Sequence, residues 1–252
     1  MMVLVCCAAA APAWGWGCAG HQVVALIAVA HLRPEVAAQV ARILATAPPG
    51  ATRHPCPASS AWPAMARQAN WADAARTAAT AGFHFVNLPL DAGRGPAALA
   101  AACDGGCLTT AITRFAPQLA APQAAQRATA LRYLIHLTAD AFQPLHTADD
   151  RDRGGNCVRT RLSGRKRAAN LHQDWDSLLL RGAMGRATPL VYAQRLDRRF
   201  GARFRGEPTD PAAWVWSSHA LAARTAYGPL HLQPGCEEQP VSLSPGYVRD
   251  AQ

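Results

Sequence analysis

LRYLIHLTADAFQPLH, running from Leu131 to His146, is the stretch whose reading decides the fold. Its apolar residues Leu131, Leu134, Ile135, Leu137 and Phe142 recur at helical spacing. His136 and Asp140 are embedded in that run, four apart and so on one helical face. Pro144 disfavours continuation of the helix, and His146 follows in the turn beyond it. Burying a carboxylate and two imidazoles costs on the order of several kcal/mol each unless something pairs them. A divalent metal is the economical partner, since a carboxylate and neutral imidazoles are its normal ligands. The competing reading is a buried His–Asp hydrogen-bonded pair with His146 exposed and idle.

A second motif, Asn170-Leu171-His172-Gln173-Asp174-Trp175-Asp176, repeats the pattern. His172 and Asp176 again stand four apart beside apolar residues, and two helices each presenting such a pair can clamp metals between them. Asp73, His84 and His146 add further ligand types, which shifts the balance towards a metal site.

The remainder of the chain supplies the frame. Its 252 residues, half of them apolar, suit one large globular domain. The formal charge of +9 is carried almost wholly by arginine, Lys166 being the only lysine. That balance suits a polyanion, either nucleic acid or an anionic membrane surface, but an Arg- and Ala-rich codon bias would also produce it. Met1 to Ala11 is apolar and Ala11-Pro12-Ala13 follows, as in a short secretory signal without its basic start. We read residues 1–15 as that signal and 16–252 as the mature domain, secreted or periplasmic and monomeric. No other stretch has the apolar length to span a bilayer, so no stable membrane association is expected. Six cysteines then remain, Cys18, Cys56, Cys103, Cys107, Cys157 and Cys236, which favours three disulfides in any of 15 connectivities. Cys103 and Cys107 are close enough to close a local loop. A thiolate zinc site is disfavoured, since no Cys-x-x-Cys pair occurs.

Helices are expected at His21 to His31, Glu35 to Ala45, around Trp71 to Arg76, and at Leu108 to Leu119, Gln123 to Phe142, Asn170 to Leu180, Leu190 to Phe200 and Pro211 to Tyr227. Gly82 to Asn87 is extended or a short helix. The proline-rich Ala47 to Ser60, the Gly- and Ala-rich Leu88 to Gly106, and the basic Asp149 to Arg167 read as loops. The expected fold is a single all-α bundle.

Trp16-Gly17-x-x-Gly20-His21, Trp71-Ala72-Asp73, His84-Phe85-Val86-Asn87, His136-x-x-x-Asp140-x-x-x-Pro144-Leu145-His146, Gly154-Gly155-Asn156 and Asn170-Leu171-His172-x-x-Trp175-Asp176 resemble the signature of the zinc-dependent single-strand nucleases. These are the nucleases of S-one/P-one type, related to zinc-dependent phospholipase C. The resemblance runs from Trp16 to about Tyr227. It implies a multi-helix bundle with a trinuclear zinc cleft. Asp73, His84, His136 and Asp140 would hold one zinc, and His146, His172 and Asp176, completed by water, a second. His21, Asp140 and the α-amino group and carbonyl of Trp16 would hold the third, so that Asp140 bridges two. A terminal amine ligates only once freed, so this third site requires cleavage before Trp16, although Ala11-Pro12-Ala13 would leave Trp14 first.

The resemblance further implies hydrolysis of single-stranded DNA and RNA to 5′-phosphate products by a zinc-activated water, with 3′-nucleotidase activity on 3′-mononucleotides. Phe85 would stack on a base, and Asn156 with Arg151, Arg153, Arg159, Arg161, Arg165 and Arg167 would meet phosphates. Ordinary packing for Phe85 and a solvated loop for the arginines are the alternatives. Two departures bear on turnover and base preference. Asn87-Leu88-Pro89-Leu90-Asp91 stands where fungal members have a water-orienting carboxylate, and Ser177 stands where some relatives place a base-contacting asparagine. A zinc phospholipase C, or a zinc- or nucleic-acid-binding relative without turnover, are the other functional classes.

Overall fold

The computed structural model describes residues 16–48, 56–162, 168–204, 209–237 and 239–252. The segment read as a signal, 1–15, and Arg165, Lys166 and Arg167 lie outside the described residues. The helices in chain order are α1 (Cys18–Ala30), α2 (Pro34–Ala45), α3 (Ala64–Arg67), α4 (Trp71–Ala74), α5 (Pro96–Ala102), α6 (Leu108–Phe115), α7 (Ala124–Asp140), α8 (Leu171–Gln173), α9 (Leu179–Met184), α10 (Pro189–Phe200), α11 (Pro211–Leu221) and α12 (Pro245–Ala251). The fold is all-α, as the sequence led us to expect, with one small sheet. Its strands β1 (Arg159–Leu162), β2 (Ala169–Asn170) and β3 (Val241–Leu243) lie in the order β2-β1-β3. Strand β1 is antiparallel to β2, with Arg159 opposite Asn170, and parallel to β3, with Thr160 opposite Val241.

Helix α7 is the axis of the molecule because it is apolar on two sides. Leu131 and Ile135, one turn apart, pack with Val23, Leu26, Leu44 and Tyr192 of α1, α2 and α10. Tyr133 and Leu137, also one turn apart, join Leu108, Ile112 and Phe115 of α6 and Trp216 of α11. Two hydrophobic clusters on different faces of one helix bury most of it from Ala128 to Asp140, while Ala125 and Gln126 in its first turn are exposed. The stripe between them, Arg132, His136 and Asp140, is polar and buried. Arg132 is satisfied locally: it donates to Gln68 Oε1 at 2.6 Å and Pro48 O at 2.9 Å and lies over the Trp71 ring. His136 and Asp140 are thereby left facing inward. A third cluster, with Leu145, Leu171, Trp175, Leu179, Tyr227 and Tyr247, seats the segment that carries the second motif.

Several local expectations are corrected. Leu88 to Gly106 is not all loop: Pro96 opens α5, whose alanines form a helix well despite the glycines before it. The basic loop from Asp149 contains β1. The expected helix from Asn170 to Leu180 is continuous but widens to a π turn over Asp174–Leu178, and α11 widens likewise over Ala222–Tyr227. Helix α12 lies beyond the last helix expected; its Tyr247 hydroxyl accepts from Trp175 Nε1 at 2.7 Å and donates to Ala226 O at 2.9 Å, closing the third cluster. The six described cysteines form three disulfides, Cys18–Cys56, Cys103–Cys107 and Cys157–Cys236, which leaves none of them for a thiolate metal site.

Candidate metal centre

Six segments deliver the site. Helix α1 brings His21, α4 brings Asp73, and the 3₁₀ turn Ala81–His84 brings His84. Helix α7 brings His136 and Asp140, the 3₁₀ turn Pro144–His146 brings His146, and α8 with its π turn brings His172 and Asp176. Every one of these side chains is buried. His146 is therefore not the exposed, idle residue of the competing reading.

The carboxylate of Asp140 is the junction. Its Oδ2 lies 3.1 Å from His84 Nδ1 and 3.3 Å from His136 Nε2, and its Oδ1 lies 3.4 Å from His21 Nε2 and 3.7 Å from His146 Nδ1. Asp73 Oδ1 sits 3.5 Å from His84 Nδ1 and 3.4 Å from His136 Nε2. On the other side, Asp176 Oδ2 is 3.3 Å from His172 Nε2. Three groups have ligand atoms close enough to share one ion each: His21, His136 and Asp140; Asp73, His84 and His136; and His146, His172 and Asp176.

The outer ring nitrogens fix which inner atoms are available. His136 Nδ1 pairs with Ala69 O at 2.8 Å, His146 Nδ1 with His84 O at 2.7 Å and His172 Nδ1 with Gly154 O at 2.6 Å. A carbonyl only accepts, so each Nδ1 carries the proton and, in the neutral ring, each Nε2 presents a lone pair inward. The Nε2 atoms of His146 and His172 then face each other at 3.2 Å, acceptor to acceptor. Both ring nitrogens of His21, Asp73 Oδ1 and Asp140 Oδ1 are buried and have no hydrogen-bond partner. Each such atom costs about 1–3 kcal/mol if nothing meets it. Neutral imidazoles backed by carbonyls, together with carboxylates, form the donor set of a divalent transition-metal site, and these residues fit it.

Backbone geometry holds the second group in place. Gly154 has φ +62°, and a Cβ there would meet Leu145 O at 2.7 Å, so only glycine brings its carbonyl this close to His172. Asp152 pins the loop: its Oδ1 accepts from Gly155 N at 2.9 Å and from the Tyr227 hydroxyl at 3.0 Å.

Protonation follows burial and neighbours. Burial, then the charge of His136, lowers His21 to about 3, and burial, then His146, lowers His172 to about 3. Burial also lowers His146 and raises Asp176 well above the usual carboxylate range. Against burial, His136 holds Asp140 well below that range, and Asp140 with Asp73 holds His136 high. In metal-free protein, His21 and His172 are neutral when folded but take up protons below about 6.5 when unfolded, so their stabilisation is full above 6.5 and lost towards 3. His146, also lowered, adds to this, and Asp176 acts in the opposite sense, one group against three. Chelator-treated protein is therefore expected to show a falling urea midpoint as pH drops from about 6.5 to about 4. A midpoint that is flat or rising over that range would contradict the neutral assignment.

Trp16 and Gly17 are held against the centre. Trp16 Nε1 donates to Ala139 O at 3.1 Å, Gly17 N donates to Asp176 O at 2.8 Å, and a Cβ on Gly20 would collide with Trp16. Phe83 joins the hydrophobic core, whereas Phe85, next to His84, stays half-buried. The Asn156 amide donates to Arg153 O at 2.8 Å and so braces its own loop. Arg151, Arg153 and Arg159 are exposed. Three residues that support the site carry no motif of their own: Gln143, Arg132 and Asp152. Gln143 and Arg132 are polar residues among apolar sequence neighbours, whereas Asp152 stands in the polar run from Asp149 to Asn156 and gave no signal.

A family model described as S1/P1 Nuclease matches residues 16–252. The chain is 29% identical over 184 residues to Nuclease P1 of Penicillium citrinum, an alignment covering 68% of this chain and 60% of that protein. It is 29% identical over 192 residues to Endonuclease 2 of Arabidopsis thaliana (67% and 57%) and 26% identical over 182 residues to Nuclease S1 of Aspergillus oryzae (68% and 57%). In these alignments the chain spans about three-fifths of the length of such relatives. With its His and Asp motifs gathered into one buried centre inside the matched region, the chain belongs to the S1/P1 nuclease family.

Proposed function

We propose that this protein is a zinc-dependent nuclease that hydrolyses single-stranded DNA and RNA to 5′-phosphate products and also acts on 3′-mononucleotides. Residues 16–252 form its nuclease domain, and 1–15 are a signal removed on export to the periplasm or the medium. Three disulfides suit such an oxidising compartment. The observation that carries the reading is the packing of three His/Asp groups into one buried cluster in a chain of this family.

Three zinc ions are assigned: one to Asp73, His84, His136 and Asp140, one to His146, His172 and Asp176, and one to His21, Asp140 and the freed Trp16 backbone. Bound there, the metals would supply Lewis-acid charge that neutralises a phosphodiester and lowers the pKa of water. The chain's own residues do the rest. Asp140 would serve two of these sites, since one of its oxygens faces His84 and His136 and the other faces His21 and His146. The carbonyls of Ala69, His84 and Gly154 hold His136, His146 and His172 in the tautomer that keeps Nε2 free. Phe85 offers a half-buried ring for one base, and the exposed arginines of the 149–161 loop offer charge to the strand.

Protein with its natural N-terminus should cleave single-stranded DNA and RNA, lose that activity to a chelator and regain it with zinc. Phosphatidylcholine should not be hydrolysed. Zinc binding without hydrolysis of either nucleic acid would refute the proposal, and hydrolysis of the lipid alone would transfer it to a phospholipase.

A further inference from the structure

Gln143 is fully buried beside the centre, yet it is none of its ligands. Its backbone N donates to Asp140 O at 3.0 Å. Its side-chain Oε1 accepts from Leu145 N at 2.5 Å, and its Nε2 donates to Asp176 Oδ1. The orientation of the amide is fixed by Leu145 N, which only donates and so takes the amide oxygen, leaving Nε2 for Asp176. A flipped amide would set donor against donor and oxygen against oxygen. Through its backbone N and its side chain, Gln143 thus touches the backbone of Asp140, the turn that presents His146 and the helix that presents Asp176.

We infer that Gln143 is a positioning residue for the His146, His172 and Asp176 group, locking the two metal-bearing segments in register and engaging one oxygen of Asp176 so that the other faces His172. The inference rests on the metal reading of the site. Asp176 Oδ2 lies 3.3 Å from His172 Nε2, whereas Oδ1, the atom held by Gln143, lies 3.8 Å from His146 Nε2. Only an amide can serve both partners. Glutamate at this position keeps an acceptor for Leu145 N but sets an oxygen against Asp176. Leucine keeps much of the volume and removes both bonds.

The test is zinc titration of the metal-free protein with its natural N-terminus against a chromophoric chelator, for wild type, Gln143→Glu and Gln143→Leu, with circular dichroism to compare folds. Both variants should weaken one zinc equivalent by about 10–100-fold and leave the others at wild-type affinity. Loss of a single equivalent is a signature that general destabilisation does not produce. Wild-type affinity at every equivalent in both variants, or equal weakening of all, would overturn the inference. Wild-type protein that binds no zinc would instead overturn the metal reading on which it rests. A check that needs no substitution is amide exchange in wild type: the Gln143 Nε2 protons should exchange slowly with and without zinc, and fast exchange would refute the bond to Asp176.

Discussion

Asp140→Asn is expected to remove zinc from two of the proposed sites and to lower nuclease activity at least about 10²–10³-fold, the scale seen when charge stabilisation at a reacting centre is lost. The cause lies in how the residue is shared. Oδ2 faces His84 and His136, Oδ1 faces His21 and His146, and the side chain is wholly buried. Asparagine keeps the shape but replaces one oxygen with an NH₂ group that cannot ligate, and it removes the negative charge that holds the cluster of imidazoles together. Zinc content per chain and single-strand cleavage, measured on the same preparation, decide the matter. A variant with full zinc content and undiminished cleavage would show that Asp140 bridges nothing.

Removing the Cys157–Cys236 disulfide, as Cys157→Ser with Cys236→Ser, is expected to lower the free energy of unfolding by about 4 kcal/mol, because it closes a long loop in the unfolded chain. The sequence separation is 79, against 4 for Cys103–Cys107, for which the same reasoning gives about 2 kcal/mol. The larger loss has a local reason as well. Arg151 and Arg153 hold positive φ, as do Gly154 and Gly155, and Gly235 N donates to Asp150 O at 2.7 Å. The bridge therefore secures a left-handed turn whose Gly154 carbonyl orients His172. Urea unfolding of both serine pairs in the presence of chelator measures the difference. Equal losses for the two pairs would refute the loop-closure account.

The architecture was legible where one pattern dominated its surroundings. Helix α7 could be read from its apolar spacing, and the His/Asp pairs stood out because ionisable residues inside apolar helices demand partners. The six cysteines from Cys18 onward could be counted into three bridges but not connected, since connectivity depends on which distant segments meet. Helix α5 was missed because glycines on either side outweighed its short alanine run. The π turn at Asp174–Leu178 was missed because a one-residue widening leaves no mark on spacing over so few residues. Gln143 was passed over for a different reason. A neutral amide beside a proline looks like a surface turn, and its importance appears only once Asp176, 33 residues later, is folded against it.

His21 meets Asp140, and Gly17 meets Asp176, only when chain separated by more than a hundred residues has come together. On the proposed function, such wiring is a safeguard. A nascent or partly folded copy holds fragments of each ligand set but no complete centre, so it is inert towards the nucleic acids of the cell that makes it. Destructive chemistry begins only with the finished tertiary structure, and a proteolytic cut that parts α1 from the His172 segment would end it.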